Sequence, residues 1–149
     1  TQMQIAEYKV KAAKIEYIFI SHLHGDHFFG LIGLITSYNL NNRKKPLNIY
    51  GPKGLEEIIK LQLFHCAKES KFELRFVEIE PVNGKIIFDN GDFTVATLQM
   101  NHRIPCAGFL FKEKNTDRRI IKEALMKYNI DVEQIPALKA GKDYIAEAG

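Results

Sequence analysis

The run Tyr17-Ile18-Phe19-Ile20-Ser21-His22-Leu23-His24-Gly25-Asp26-His27 joins two kinds of sequence. Its first four residues are continuously apolar and rich in β-formers, which predicts a buried strand in a sheet covered on both faces. Three histidines and an aspartate then fall within six residues, so a set of ligand-type side chains hangs from that strand's carboxyl end. Imidazole nitrogen and carboxylate oxygen are the mixture that zinc favours. A lone histidine is usually structural, but background composition produces this HxHxDH order in roughly one chain of this length in ten thousand. His22 and His24 lie two apart and can point the same way off an extended segment, whereas Asp26 and His27 follow a turn at Gly25. That spacing admits two adjacent metals. Paired metals suit phosphodiester hydrolysis, with Asp26 available to handle protons.

Downstream of the motif, apolar residues from Phe28 to Leu40 predict a helix that tolerates Gly30 and Gly33 where it packs closely on a neighbour. Leu47 to Tyr50 reads as a second strand, Gly51-Pro52 as a turn, and Gly54 to Lys68 as a helix with Leu55, Ile58, Ile59 and Leu63 on one face. The rhythm then changes. Glu73 to Ile79, Lys85 to Phe88, Phe93 to Met100 and Gly108 to Lys112 read as strands, with hairpin chemistry at Asp89-Asn90-Gly91-Asp92. Upstream, Thr1 to Lys14 has helix-forming composition without a starting cap, as in a chain that opens inside an element. The fold class expected is α/β.

Two further histidines remain. His102 follows the strand Phe93 to Met100 and precedes Arg103-Ile104-Pro105, which places it at a strand end beside a loop and makes it a candidate ligand. His65 sits on an amphipathic helix beside Cys66 and reads as a packed or surface residue. Cys66 and Cys106 are far apart and lack CxxC spacing, so neither a disulfide framework nor a cysteine zinc cluster is expected.

The 149 residues, 46% hydrophobic and 26% charged, describe an ordinary globular chain, and no apolar run reaches the roughly 20 residues a bilayer crossing needs. No membrane association is expected, and a cytoplasmic location follows from the lack of a secretory signal pattern. A net charge of +3 is mild, but Arg43-Lys44-Lys45, Arg118-Arg119 and the lysines from Lys112 to Lys142 form local positive stretches, of the kind that form solvated faces or meet a polyanion. The segment from Glu113 onward is charged, with one helix at Ile120 to Tyr128 and Pro136 beyond it, and reads as an arm.

The segment Ile18 to Ile32, together with Pro46-Leu47-Asn48-Ile49-Tyr50-Gly51-Pro52, resembles ribonuclease Z, a tRNA 3′-processing endonuclease of the metallo-β-lactamase superfamily. Asn101-His102-Arg103-Ile104-Pro105-Cys106-Ala107-Gly108-Phe109 is similar to that family's third ligand segment, and Thr1-Gln2 to the end of a segment that follows a glycine-rich strand. The resemblance implies part of a four-layer αββα sandwich with a mixed sheet over residues 1–111, and a tRNA-binding arm over 112–149. It implies zinc as the cofactor, with His22, His24 and His102 holding one ion and Asp26 and His27 contributing to another. Asp26 would also be the catalytic proton-handling group. The implied reaction is removal of the 3′ trailer of precursor tRNA. The implied assembly is a homodimer in which one subunit's arm reaches tRNA held by the other.

Lys112, Lys114, Arg118, Arg119, Lys139 and Lys142 would meet RNA phosphates without reading sequence. Tyr128 to Gly141 resembles the family arm's proline-rich turn but lacks its Gly-Pro pair. Complete family members are longer and carry a bridging aspartate and a last histidine. Here no histidine follows His102, and Asp117, Asp131 and Asp143 do not match the bridging position. Two zincs belong to the complete site, and one is expected in this chain. Two other readings stand beside this one: a hydrolase of a small thioester or lactone on the same fold, and a catalytically incompetent RNA-binding fragment.

Overall fold

The computed structural model describes residues 1–66, 70–114 and 117–144. By its internal contacts the chain divides into two compact units, Thr1–Lys112 and Glu113–Gly149.

In the first unit the β-α-β-α alternation forms as expected. Strand β1 (Tyr17–Phe19) leads through the histidine motif to helix α2 (Gly25–Leu40), strand β2 (Leu47–Gly51), helix α3 (Leu55–Cys66) and strand β3 (Leu74–Glu78), preceded by helix α1 (Gln2–Glu7). These three strands make one sheet in the order β1-β2-β3, with parallel pairing throughout: Ile18 lies opposite Ile49, and Ile49 opposite Phe76. Strands β4 (Ile86–Asp89), β5 (Phe93–Gln99) and β6 (Ala107–Glu113) make a second sheet in the order β4-β5-β6, and β4 pairs antiparallel to β5. The parallel pairings lie in the first sheet and the antiparallel β4–β5 pairing in the second. The expected hairpin forms between β4 and β5. Gly91 takes a φ of +93°, and the Asn90 side-chain oxygen accepts from the backbone N–H groups of Asp92 and Phe93.

The two faces of the first sheet are buried against different layers. Phe28, Leu31, Ile35 and Tyr38 recur at helical spacing along α2 and pack with Leu55, Ile59 and Leu63 of α3 on Leu47 and Ile49 of β2. On the other face Tyr50, Ile79 and Ala107 form a second cluster with Phe19, Ile87, Phe88 and Phe109, so aromatic rings join sheet to sheet. Phe19 stacks on Tyr50 at 4.8 Å between centroids and meets Phe109 at 5.4 Å. The apolar run at β1 is explained by this arrangement: Ile18 faces the helices and Phe19 the second sheet.

The opening helix is shorter than its composition predicts. It spans Gln2–Glu7 and ends where Lys9 takes a φ of +52°, and only a short 3-10 turn at Ala12–Lys14 follows. What fixes it is contact with α2. The Gln2 amide donates to the Gly33 carbonyl and to Ser37 Oγ, and a Cβ on Gly30 would collide with Thr1 Oγ1. The small residues predicted to permit close packing do so here. Helix α3 is described as far as Cys66, and its expected end at Lys68 lies outside the described residues.

Arg43 departs from the positive stretch predicted at Arg43-Lys44-Lys45. It is buried, its Nε donates to the Lys45 carbonyl at 2.7 Å, and its Nη2 donates to the carbonyls of Ile15 and Pro46 at 2.8 and 2.9 Å. The guanidinium carbon lies 4.7 Å from the Tyr38 ring centroid and 5.5 Å from that of Phe72. Lys45 in turn pairs with Glu16 at 2.7 Å and holds that carboxyl below its ordinary range, mainly through the hydrogen bond itself. Arg43 therefore fixes the turn after α2 onto the approach to β1, a structural role that withdraws its own charge from solvent while Lys44 and Lys45 stay exposed.

The second unit contains helix α4 (Lys122–Lys127), a 3-10 turn at Val132–Gln134 and helix α5 (Ile135–Lys139) with Pro136 in its first turn. Its expected helix over Ile120 to Tyr128 is trimmed at both ends, and Asn129 at φ +49° terminates it. Arg118 N donates to the Lys139 carbonyl at 2.8 Å. Among the described residues no helix is long and apolar enough to cross a membrane.

Ile49 is fully buried on the central strand. Ile49→Ala is expected to lower unfolding free energy by about 2–5 kcal/mol in urea titrations, while Phe64→Ala on the exposed face of α3 stays within about 0.5 kcal/mol of wild type. Arg43→Met is expected to lower it by at least about 1.5–3 kcal/mol, and Arg43→Lys to recover little, because an ammonium cannot occupy three carbonyls in a planar fork.

Candidate metal centre

Backbone hydrogen bonds carry the motif from strand to helix. Past β1, Ile20 N donates to the Tyr50 carbonyl at 2.8 Å, and the Ser21 carbonyl accepts from Ala107 N at 3.0 Å. The loop Ser21 to His24 is thereby tied to both sheets. His24 is the extended residue that caps α2, and the helix begins at Gly25, three residues before the position predicted from Phe28. Asp26 and His27 therefore stand in the first helical turn and do not follow a separate bend. At that end of a helix a carboxylate is electrostatically favoured.

His102 reaches the same place from the other sheet. It lies on the loop between β5 and β6, closed by a hydrogen bond from Met100 N to the Cys106 carbonyl at 3.1 Å. One ring nitrogen from each of His22, His24 and His102 falls within 4.8 Å of the others. Ring centroids are separated by 4.7 Å for His22 and His24, 4.5 Å for His22 and His102, and 4.9 Å for His24 and His102. His22 Nε2 and His24 Nδ1 are 3.1 Å apart. Zinc–nitrogen bonds of about 2.0–2.1 Å place the nitrogens of a tetrahedral site roughly 3.3 Å from one another. The spacing thus fits two ligands of one ion, and the three imidazoles form a group able to hold a metal.

His22 is the buried member, 3% exposed, while His24 and His102 face solvent. Burial pushes the His22 imidazole below its ordinary pKa. The neighbouring His27, His102 and His24 act in the same direction, and Asp26 opposes them. Neutral imidazole is the form that donates a lone pair to a metal. A hollow of about 390 Å³ lined by Asn83, Gln99, Met100, Asn101 and His102 opens at the triad's edge.

Asp26 and His27 lie beside this triad. His27 Nε2 is 3.6 Å from Asp26 Oδ2, and the His27 ring is 4.0 Å from that of His22. Asp26 is largely exposed. Two side chains close to the histidines escape prediction from spacing. Ser21 Oγ is 2.9 Å from His22 Nδ1 and 3.2 Å from His27 Nδ1, and buried Cys106 has its sulfur 3.5 Å from His22 Nδ1. Ser21 adjoins the motif and is legible as a neighbour, whereas Cys106 lies 84 residues from His22 and nothing in its spacing pairs the two. His65 takes no part, its ring lying against Phe64 on α3.

The six cations expected to bind RNA divide between the units. Lys112 is exposed on β6 in the first unit. Lys114, Arg118, Arg119, Lys139 and Lys142 are exposed in the second. Arg118 is brought to the turn after α5. A Cβ on Gly141 would sit 3.2 Å from its guanidinium carbon, and Gly141 takes a φ of +86°.

The family whose model matches residues 1–137 is described as the anti-Pycsar protein Apyc1. Ribonuclease Z of Bacteroides thetaiotaomicron is 39% identical over 148 residues, which is 99% of this chain and 47% of that protein. Ribonuclease Z of Cytophaga hutchinsonii is 43% identical over 125 residues, 84% of this chain and 40% of that protein. The crystal structure of the short form of human tRNase Z matches with a TM-score of 0.70 at 32% identity, covering 85% of this chain and 58% of that one. The metallo-β-lactamase-fold protein YhfI from Bacillus subtilis matches with a TM-score of 0.51 at 22% identity, over 74% of this chain and 42% of that one, and bears on the fold alone. The chain spans about half the length of the curated relatives it matches. With the histidine group at the end of β1 and this spread of similarity, the chain is a homologue of ribonuclease Z with a metallo-β-lactamase fold, and it belongs to the family the Apyc1 model describes.

Proposed function

We propose that this chain is the part of a zinc-dependent tRNA 3′ endonuclease that carries the first metal site. The observation that carries the reading is the convergence of His22, His24 and His102 from two sheets onto one point. Three imidazoles leave a tetrahedral zinc one open position for water. His22, His24 and His102 would hold this ion, and Asp26 and His27 would contribute to a second. When bound, zinc supplies a water acidic enough to ionise near neutral pH and positive charge for the oxygens of an in-line displacement.

The protein's own groups supply the rest. The Asp26 carboxylate, exposed at the first turn of α2, accepts the proton of the attacking water. The hollow beside His102 admits the scissile phosphate. Lys112, Lys114, Arg118, Arg119, Lys139 and Lys142 engage the phosphates of the tRNA body, in a homodimer where the arm of one subunit serves tRNA held by the other. Asp26 and His27 give the second ion two ligands, fewer than a stable site takes, so cleavage is proposed for the protein in which that site is completed. The setting is cytoplasmic. The exposed cations of the second unit favour a polyanion over a small thioester or lactone.

Zinc stoichiometry, measured beside cleavage of 3′-extended precursor tRNA, tests the reading. At least one zinc per chain is expected. His24→Ala and His102→Ala should each weaken zinc binding by more than the roughly 10–100-fold that removal of a supporting outer residue costs. Zinc binding that is indifferent to both substitutions would sink the site. Turnover of a thioester or lactone with no affinity for tRNA would replace the substrate, and tRNA binding without cleavage by the completed protein would leave an RNA-binding module.

Neutralising Lys142 or Arg118 with alanine is expected to weaken tRNA binding and to reduce the slope of log affinity against log salt by roughly one for each phosphate that the side chain would have neutralised. Equal slopes in wild type and variants would remove these residues from the interface.

A further inference from the structure

We propose that the Ser21 hydroxyl is a positioning group that fixes the tautomers of His22 and His27 together, and so links the two metal half-sites through one oxygen atom. The inference rests on the metal reading above and goes beyond it by assigning a role to a residue that is not itself a ligand. Ser21 Oγ lies 2.9 Å from His22 Nδ1 and 3.2 Å from His27 Nδ1. A hydroxyl oxygen has two lone pairs, and a neutral imidazole has one N–H and one lone pair. Two Nδ1–H groups can therefore be accepted by the same oxygen, which leaves the lone pair of each ring on Nε2.

The opposite side of each ring shows why that tautomer matters. His22 Nε2 faces His24 Nδ1 at 3.1 Å, inside the triad, and His27 Nε2 faces Asp26 Oδ2 at 3.6 Å, outside it. The same hydroxyl thus turns one Nε2 toward the triad and the other toward the Asp26 carboxylate. Metal-bound histidines generally donate their second ring N–H to such a partner, which fixes ring orientation. Ser21 is itself held, because its carbonyl accepts from Ala107 N at 3.0 Å. Cys106 Sγ also approaches His22 Nδ1 but at 3.5 Å, and sulfur is the weaker acceptor. The hydroxyl is the dominant partner.

The test compares wild type, Ser21→Ala, Ser21→Thr and Cys106→Ala in the full chain, with zinc itself as the probe. Affinity is read by competition with a chromophoric chelator, and ring tautomers by long-range 15N–1H correlation spectra. Ser21→Ala is expected to weaken zinc binding roughly 10–100-fold and to mix the tautomers of both His22 and His27. Ser21→Thr, which keeps the hydroxyl, restores both readouts even if the alanine variant folds poorly, and Cys106→Ala leaves both near wild type. Wild-type affinity in Ser21→Ala overturns the proposal and leaves the metal reading standing, as does weakened affinity with both tautomers retained. A wild-type chain that binds no zinc overturns the metal reading and this assignment with it.

Discussion

The hydrogen bond from Ala107 N to the Ser21 carbonyl, 3.0 Å long, joins the exit of one sheet's first strand to the entry of the other sheet's last. Histidines on either side of it, His22 and His24 on one segment and His102 on the other, are 78 or more residues apart in sequence and meet because these two strand ends meet. Aromatic packing holds the sheets at that distance, with Phe19 lodged between Tyr50 and Phe109. The histidine group is thus a consequence of how two sheets stack, and its geometry depends on a core that lies one layer away.

Residues that report their surroundings through local pattern are legible in the sequence. The unbroken apolar run at Tyr17 to Ile20 marks a strand whose Ile18 meets the helices and whose Phe19 meets the second sheet, while Tyr17 at its start stays exposed. The helical spacing of Leu55, Ile59 and Leu63 marks the buried side of α3. His102 is legible as a ligand candidate because a histidine at the end of a β-pattern beside a rigid loop has few structural uses. Arg43 is not legible, since a run of three cations carries no sign of which member is buried. Its partners are carbonyls of Ile15, Lys45 and Pro46, and backbone acceptors leave no trace in side-chain identity.

The start of α2 differs from its sequence pattern for a related reason. Gly25-Asp26-His27 reads as a turn by propensity, yet these residues are helical because the sixteen-residue segment they begin is packed along its length. The consequence bears on the proposed site. Inside the first turn, Asp26 and His27 share a helical scaffold with the buried Phe28 and Leu31, so their backbone positions are set by the core while their side chains stay accessible. Ser21 is legible as the motif's neighbour but not as a partner of both His22 and His27, and Cys106 is not legible at all, because only the folded arrangement shows what lies beside an imidazole's second nitrogen.

The chemistry of the histidine group itself argues for a cation at its centre. His22 Nε2 and His24 Nδ1 face each other at 3.1 Å, and burial disfavours a charged His22. If both rings are neutral with these nitrogens unprotonated, two lone pairs oppose one another. If either is protonated there, one hydrogen bond forms and the third ring, His102, is left to find its own partner. A metal ion would satisfy all three lone pairs at once, and it takes the neutral imidazole that burial favours at His22. The same condition sets the demand on the outer nitrogens. Every ring that gives its lone pair inward carries its N–H outward, so the residues lining the outside of the cluster determine how well the inside is prepared.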